Sequence, residues 1–230
     1  MKIYLSPSMQ PNNVYAAGDT NEQIQCSLIA SYARDALLRC GFEAEKAPEG
    51  QSAEENIARS NAWGADLHVP IHTNAGGGRG CVVFVYALTD DRLLYADAIF
   101  EAINGITLYP SVYGVRTAGF YEIRASNAMC LYVECEFHDS EELALWIIDN
   151  VKELGEAICR GICAASGVAY VPEDEASERW QTLEEIPEPY RETAELFIEK
   201  GALRGKTDGG LDVTEDMLRV MEIIRRYFEE

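Results

Sequence analysis

Apolar runs of strand length alternate with stretches of helical period along the first 166 residues of this 230-residue chain, and that alternation limits the fold more than any other feature. Residues 2–6 predict a first strand. Apolar spacing at Ile24, Leu28, Ile29, Ala33, Leu37 and Leu38 predicts a helix over roughly 20–40, which Gly41 stops before a short strand from Phe42. Ser52 and Glu55 stand at capping-box spacing at the head of a helix over about 52–62. A strand over 66–72, a Gly76-Gly77-Gly78 break, the apolar run Cys81–Ala87 and a helix near 91–105 follow. An irregular Gly/Pro/Tyr segment at 105–120, a strand over 129–135 and a long helix over 140–165 complete the pattern. Strands and helices in this order imply an α/β class, with a mostly parallel sheet covered by helices on both faces.

The predicted organisation is an α/β domain over 1–168, an acidic linker over 169–179 and a small helical appendage over 180–230. In the appendage, a helix over about 189–200 ends at Gly201. A turn carrying Gly205, Gly209 and Gly210 follows, and Thr214 caps a last helix running to about 228. A unit of about fifty residues buries little core of its own.

A formal charge of −20 argues against nucleic-acid binding, which depends on Lys and Arg meeting phosphate. No segment approaches the ~20 apolar residues needed to span a bilayer, so membrane insertion is not expected. The N-terminus runs from Met1 straight into a strand, without a visible secretory signal, which predicts synthesis in the cytoplasm. Seven cysteines without CxxC spacing, mostly within apolar runs, read as small buried hydrophobes in a reducing compartment. Cys159 and Cys163 share one helix face, with no His or third Cys beside them in the sequence to complete a metal site.

Four polar residues stand at the ends of these elements. Gln10 follows the first strand, Glu22 opens the first helix, His72 closes Leu67–Ile71, and Glu134 closes Leu131-Tyr132-Val133. In a mostly parallel sheet, sites gather at the carboxyl ends of strands. Two carboxylates and an imidazole gathered there are the parts of a metal-assisted hydrolase. His68, four residues before His72, lies ~13 Å from it in an extended strand and cannot share an ion with it.

Beyond these residue types, the order of Asn21-Glu22, Gly41-Phe42, Ala65-Asp66-Leu67, Ile71-His72-Thr73-Asn74-Ala75 and Val133-Glu134-x-x-Phe137 resembles the type 3 zinc-dependent N-acetylmuramoyl-L-alanine amidases, over about residues 1–166. The resemblance implies one zinc ion, with Glu22 and His72 as ligands and Glu134 as the catalytic carboxylate. It implies peptidoglycan as partner and hydrolysis of its N-acetylmuramoyl-L-alanine amide. A phage or prophage lytic enzyme, reaching the bacterial cell wall after holin-type release, is the expected setting.

The chain departs from that pattern at the first ligand. Where the family has Asp-Pro-Gly-His, this sequence has Ser6-Pro7-Ser8-Met9-Gln10, and an amide oxygen is a weaker zinc donor than imidazole. Three readings stay open: Gln10 coordinates with water completing the shell, Asn12 or Asn13 assists, or the site is metal-poor. The last would leave a catalytically weak or inactive wall-binding protein on the same fold. Asn74, Tyr121, Arg124 and His138 are candidates for substrate binding at the cleft. For His138 a local cap on the helix over 140–165 is the alternative, and for Asn74 it is orientation of the loop backbone. The appendage resembles a single S-layer-homology module in Trp180, Ile186-Pro187, Glu199-Lys200-Gly201 and Arg219. That implies wall attachment, with homodimerisation and simple docking also open.

Overall fold

The computed structural model describes residues 1–173, 179–205 and 210–229, which fall into two compact units, Met1–Val171 and Pro172–Glu230. In the first unit six strands lie in the order β2-β1-β3-β7-β4-β5. They are β1 (Lys2–Pro7), β2 (Glu43–Lys46), β3 (Leu67–Asn74), β4 (Val82–Val85), β5 (Val115–Thr117) and β7 (Tyr132–Phe137), and the two-residue β6 (Met129–Cys130) pairs with β3. All pairings are parallel except β4 with β7. Between the strands run α1 (Glu22–Arg39), α2 (Ala53–Trp63), α3 (Asp90–Asn104), α4 (Tyr121–Ala125), α5 (Glu141–Asp149) and α6 (Val151–Ser166). The α/β class and the predominantly parallel sheet are as the alternation implies.

Period-two alternation sorts the side chains of β1, β3 and β7 onto two faces. Ile3, Leu5, Val69, Ile71, Val133 and Cys135 join the apolar faces of α1, α3 and α6 in one core. Two glycines let α6 seat there. A Cβ on Gly155 would lie 2.7 Å from the backbone nitrogen of Ala33 in α1, and one on Gly161 would lie 2.5 Å from Cα of Ile99 in α3. The alternate positions carry Tyr4, Ser6, His68, His72, Tyr132 and Glu134. This second face meets α2 and α4: Asn56 of α2 donates to Ser6 Oγ at 3.2 Å, and Ser6 donates to Glu122 of α4 at 2.6 Å.

The helix expected over 140–165 is two helices. Asn150, at φ −120° and ψ 18°, separates α5 from α6, and its side-chain NH2 donates to the Trp146 carbonyl at 2.7 Å. An Asn that bonds the backbone in this way competes with helix continuation. The segment at 105–120 is less irregular than expected, because β5 lies inside it and pairs with β4. All seven cysteines are free and buried. The fold adds the partner that the sequence around Cys159 and Cys163 lacks: Cys40, at the end of α1, comes to 3.7 Å from Cys159.

In the second unit, β8 (Arg179–Trp180) pairs antiparallel with β9 (Val213–Thr214), and α7 (Glu188–Glu199) is followed by α8 (Glu215–Glu229). Trp180, Ile186, Ala194, Leu203, Val213 and Leu218 form its small core. The central part of the expected linker, residues 174–178, and Gly209 of the expected turn lie outside the described residues. Among the described residues no helix is long and apolar enough to cross a membrane.

Candidate metal centre and hydrolytic site

The site assembles where β1, β3 and β7 end. Asn21 caps α1 by accepting the Ile24 N–H at 3.1 Å, so the chain enters the helix with Glu22 in its first turn, where a carboxylate is favoured by the helix dipole. Glu22 is only 1% exposed, and its Oε1 lies 2.8 Å from Nδ1 of His72. Parallel pairing sets His72 of β3 directly beside Glu134 of β7. The His72 ring stacks on Tyr132 with centroids 4.5 Å apart. Gln10 brings its side-chain nitrogen to 3.4 Å from His72 Nδ1, and Asn13 donates both to Gln10 Oε1 at 2.9 Å and to Glu22 Oε2 at 2.6 Å. The four residues singled out in the sequence therefore meet in one place, with Asn13 tying Gln10 to Glu22.

A fifth residue, absent from the sequence-based set, completes the ring of charge. Glu122 is 7% exposed, and its Oε2 lies 3.9 Å from Nε2 of His72. Its Oε1 accepts from Ser6 at 2.6 Å and lies 3.2 Å from His68 Nε2. One signal pointed to it: a Glu placed between Tyr121 and Ile123 in an apolar stretch must be exposed or specifically held.

Burial and pairing pull these groups in opposite directions. Burial works to lower the His72 pKa, but the carboxylates of Glu122, 3.9 Å from Nε2, and Glu22, bonded at Nδ1, outweigh it and lift the value to about 9. Burial likewise works to raise Glu22 and Glu122. The bonds from His72 and Asn13 hold Glu22 below the usual carboxylate range, and the bonds with His68 and Ser6, with the nearby His72, bring Glu122 to about 2. Glu134 has no such help: burial raises it to about 7, only partly countered by the charge of His72, and its Oε2 is buried without a hydrogen-bond partner.

Three carboxylates around one imidazole leave excess negative charge that a divalent cation would neutralise. Imidazole and carboxylate are zinc-type donors. Glu22 and His72 already converge, and Glu134 Oε2 stands without a partner, so the residues fit such an ion. Gln10 fits less well. Its NH2 faces His72 while its carbonyl oxygen is engaged by Asn13, so coordination through oxygen requires the amide to turn over.

The remaining sequence candidates separate. Tyr121 lines a cleft of about 260 Å³ beside His72 and Gln10, together with Phe120 and Tyr132. Asn74 turns its Oδ1 to its own loop and accepts the Ala75 N–H at 2.8 Å. Arg124 lines a different depression, with Tyr86 and Arg92, and donates to the Gly119 carbonyl. His138 does not form part of the rim. It is 4% exposed, stacks on Tyr15 with centroids 5.0 Å apart and pairs with Thr73 Oγ1 at 2.9 Å. Nor does it cap α5, since its backbone N–H bonds Asn74 and draws it back along the sheet. His68 is fully buried, held by Glu122 and stacked on Tyr4.

Residues 9–164 match the family model described as N-acetylmuramoyl-L-alanine amidase. The chain is 24% identical over 147 residues to the N-acetylmuramoyl-L-alanine amidase CwlM of Bacillus licheniformis, a match covering 61% of this chain and 58% of that protein. It is 26% identical over 148 residues to the sporulation-specific N-acetylmuramoyl-L-alanine amidase of Bacillus subtilis, covering 61% and 57%. The chain thus spans little more than half the length of these relatives. The solved N-acetylmuramoyl-L-alanine amidase AmiC2 of Nostoc punctiforme shares its fold with a TM-score of 0.65 and 19% identity, over 73% of this chain and 97% of that one. The catalytic domain of the CD27L endolysin targeting Clostridia difficile gives 0.59 and 22%, over 70% and 96%. With the family model matched across most of its length and the strand-end residues gathered as described, this chain belongs to the N-acetylmuramoyl-L-alanine amidase family.

Proposed function

We propose that this protein hydrolyses the amide between the N-acetylmuramoyl group and L-alanine of peptidoglycan, using zinc held by Glu22 and His72. The single observation that carries the reading is Glu134. The residue is half-buried, its Oε2 is buried without a partner, it lies beside His72 in register, and its pKa is raised to about 7. A carboxyl with a pKa near the working pH suits a group that must take a proton from the attacking water and return it to the leaving amine. Bound zinc supplies the Lewis acidity that polarises the scissile carbonyl and makes water acidic near neutral pH.

The chain's own groups do the rest. Glu22 and His72 hold the ion. Asn13 ties Glu22 to Gln10, linking the loop after β1 to the start of α1. Tyr121 and Phe120 wall the cleft beside His72 and Gln10, where the sugar–peptide junction would lie. Incubating the purified protein with cell walls and zinc, then assaying newly exposed N-terminal L-alanine, tests the reading. A folded, zinc-supplied protein that releases none overturns it.

Gln10 favours a second reading, a wall-binding protein whose metal site has decayed. Metal analysis of protein purified without chelator separates the two: stoichiometric zinc supports the enzyme, and its absence supports decay. We extend the first reading to a lytic role at the bacterial wall after holin-type release, which the likeness to an endolysin catalytic domain supports. Co-expression with a holin should then lyse the host, and survival would exclude that role. For the second unit we propose wall attachment, on its S-layer-homology resemblance. Sacculus sedimentation of the full chain against a chain ending at Val171 tests it, and equal sedimentation overturns it.

A further inference from the structure

Glu122 holds neither the proposed ion nor, in the reaction above, a proton of the substrate, yet it is a buried carboxylate at the centre of the polar face. Burying a charge is costly unless it is paired and hydrogen-bonded. Here Ser6, itself held by Asn56, and His68 both engage Oε1. Those bonds fix the carboxylate so that Oε2 remains on the Nε2 side of His72, at 3.9 Å. The other ring nitrogen, Nδ1, faces Glu22 and Gln10.

A neutral imidazole has one N–H and one lone pair, and the hydrogen bond made by one nitrogen decides which of them is left to bind a metal. A metal-ligating His therefore usually gives its other N–H to a carboxylate or carbonyl, which sets the ring orientation and raises its basicity. The Tyr132 ring occupies the His72 face, so the edge at Nε2 is where such an acceptor must stand, and Glu122 stands there. The device matters more in this chain than where a second imidazole shares the ion, because the neighbouring donor is only the Gln10 amide.

We propose that Glu122 is a positioning residue, holding His72 with its proton on Nε2 and its Nδ1 lone pair turned toward Glu22 and the bound cation. The role rests on the metal reading above. Its geometry needs no contact between Glu122 and substrate, and it assigns Ser6 and His68 to holding Glu122 in place.

Zinc affinity, measured by competition with a chromophoric chelator, tests it without reference to catalysis. Glu122→Gln keeps the size of the side chain but removes the charge, and should weaken zinc binding by about 10–100-fold per folded molecule. Ser6→Ala should weaken it in the same direction by less. A merely structural Glu122 would lower the melting temperature while leaving the affinity of the folded fraction unchanged, and that result overturns the role. If Glu122→Gln does not fold, the wild-type protein decides: long-range ¹H–¹⁵N spectra of the zinc-loaded form should show His72 protonated at Nε2. A proton at Nδ1, or zinc at Nε2, overturns the proposal. Absence of zinc binding by the wild type overturns the metal reading itself, whereas equal binding by wild type and Glu122→Gln overturns only the part assigned to Glu122.

Discussion

On the face of the sheet that meets α1, α3 and α6, strands β1, β3 and β7 present Ile3, Leu5, Val69, Ile71, Val133 and Cys135; on the face that meets α2 and α4, the same strands present Tyr4, Ser6, His68, His72, Tyr132 and Glu134. Both faces are covered, and they are held by different physics. The apolar face gains from burial in proportion to area, without regard to direction. The polar face is stable only where each group meets a partner, as Ser6, Glu122 and His68 do. Glu134 Oε2, like Tyr4 Oη and His68 Nδ1 on this face, is buried without one, and of these it is the carboxylate oxygen at the strand ends where the chemistry is proposed. One backbone thus separates stability from reactivity by a period of two residues.

The sharpest test of that separation is Glu134→Gln. It removes the proton carrier and leaves the apolar face untouched, so L-alanine release should fall by about 10²–10⁴-fold while zinc content and melting temperature hold or rise. A variant that keeps more than a tenth of the activity would break the assignment. The reciprocal change is Gly161→Ala on the apolar face. The added methyl group would meet backbone atoms of α3 at 2.5–2.8 Å, where nothing can rotate away. Overpacking of this kind costs about 1–3 kcal/mol, or roughly 2–4 °C in melting temperature per kcal/mol for a chain of this size. Activity per folded molecule should stay unchanged, and a loss of zinc affinity instead would show that the faces are coupled.

How much of this was legible in the sequence follows the same division. Period-two and period-3.6 patterns placed β1, β3, β7 and α1, and with them the strand-end positions of Gln10, Glu22, His72 and Glu134, because those residues are set by local spacing. Glu122 was missed because it belongs to a five-residue helix after a segment without period, and its partners Ser6 and His68 are 116 and 54 residues away. His138 was expected at the rim, or as a cap on the next helix, because it follows Glu134 on what reads as a loop. The register shift between His72 and Asn74 and the bond from the His138 N–H to Asn74 turn it inward instead, and neither leaves a trace in composition. Cys40 joined Cys159 for a similar reason, since contacts between helices cannot be read from spacing within one.

The Gln10 position tests how far the polar face has been weakened as a metal site. Gln10→His puts a stronger donor within reach of the ion that Glu22 and His72 hold, so zinc affinity should rise on the order of tenfold or more, imidazole being the better ligand. Chelator competition measures it. No change would mean that the loop after β1 does not approach the ion, and that Asn13 serves only to tie Glu22 to Gln10.

The smallest expected effect is also the one that belongs to the polar face alone: the pH dependence of the metal-free fold. His72 titrates at about 9 when folded, against 6.5 as a free side chain, so its stabilising contribution is complete below about pH 6.5 and is lost as pH rises through 9. Glu134, raised to about 7 from 4.5, also favours the fold on the acid side, and that contribution fades as pH rises from about 4.5 through 7. Glu122 has the opposite sign. Held near 2, its contribution is present above about pH 4.5 and lost as pH falls toward 2. The three together place the stability maximum of the chelated protein near pH 4.5, with a decline on either side. Because the net charge of −20 also disfavours the fold as pH rises, the comparison must be between variants. Relative to wild type, His72→Gln should flatten the alkaline limb of melting temperature against pH between about 6.5 and 9. Gly161→Ala should shift the whole curve downward without changing its shape. Parallel curves for all three proteins would mean that the histidine is not held between Glu22 and Glu122 in solution.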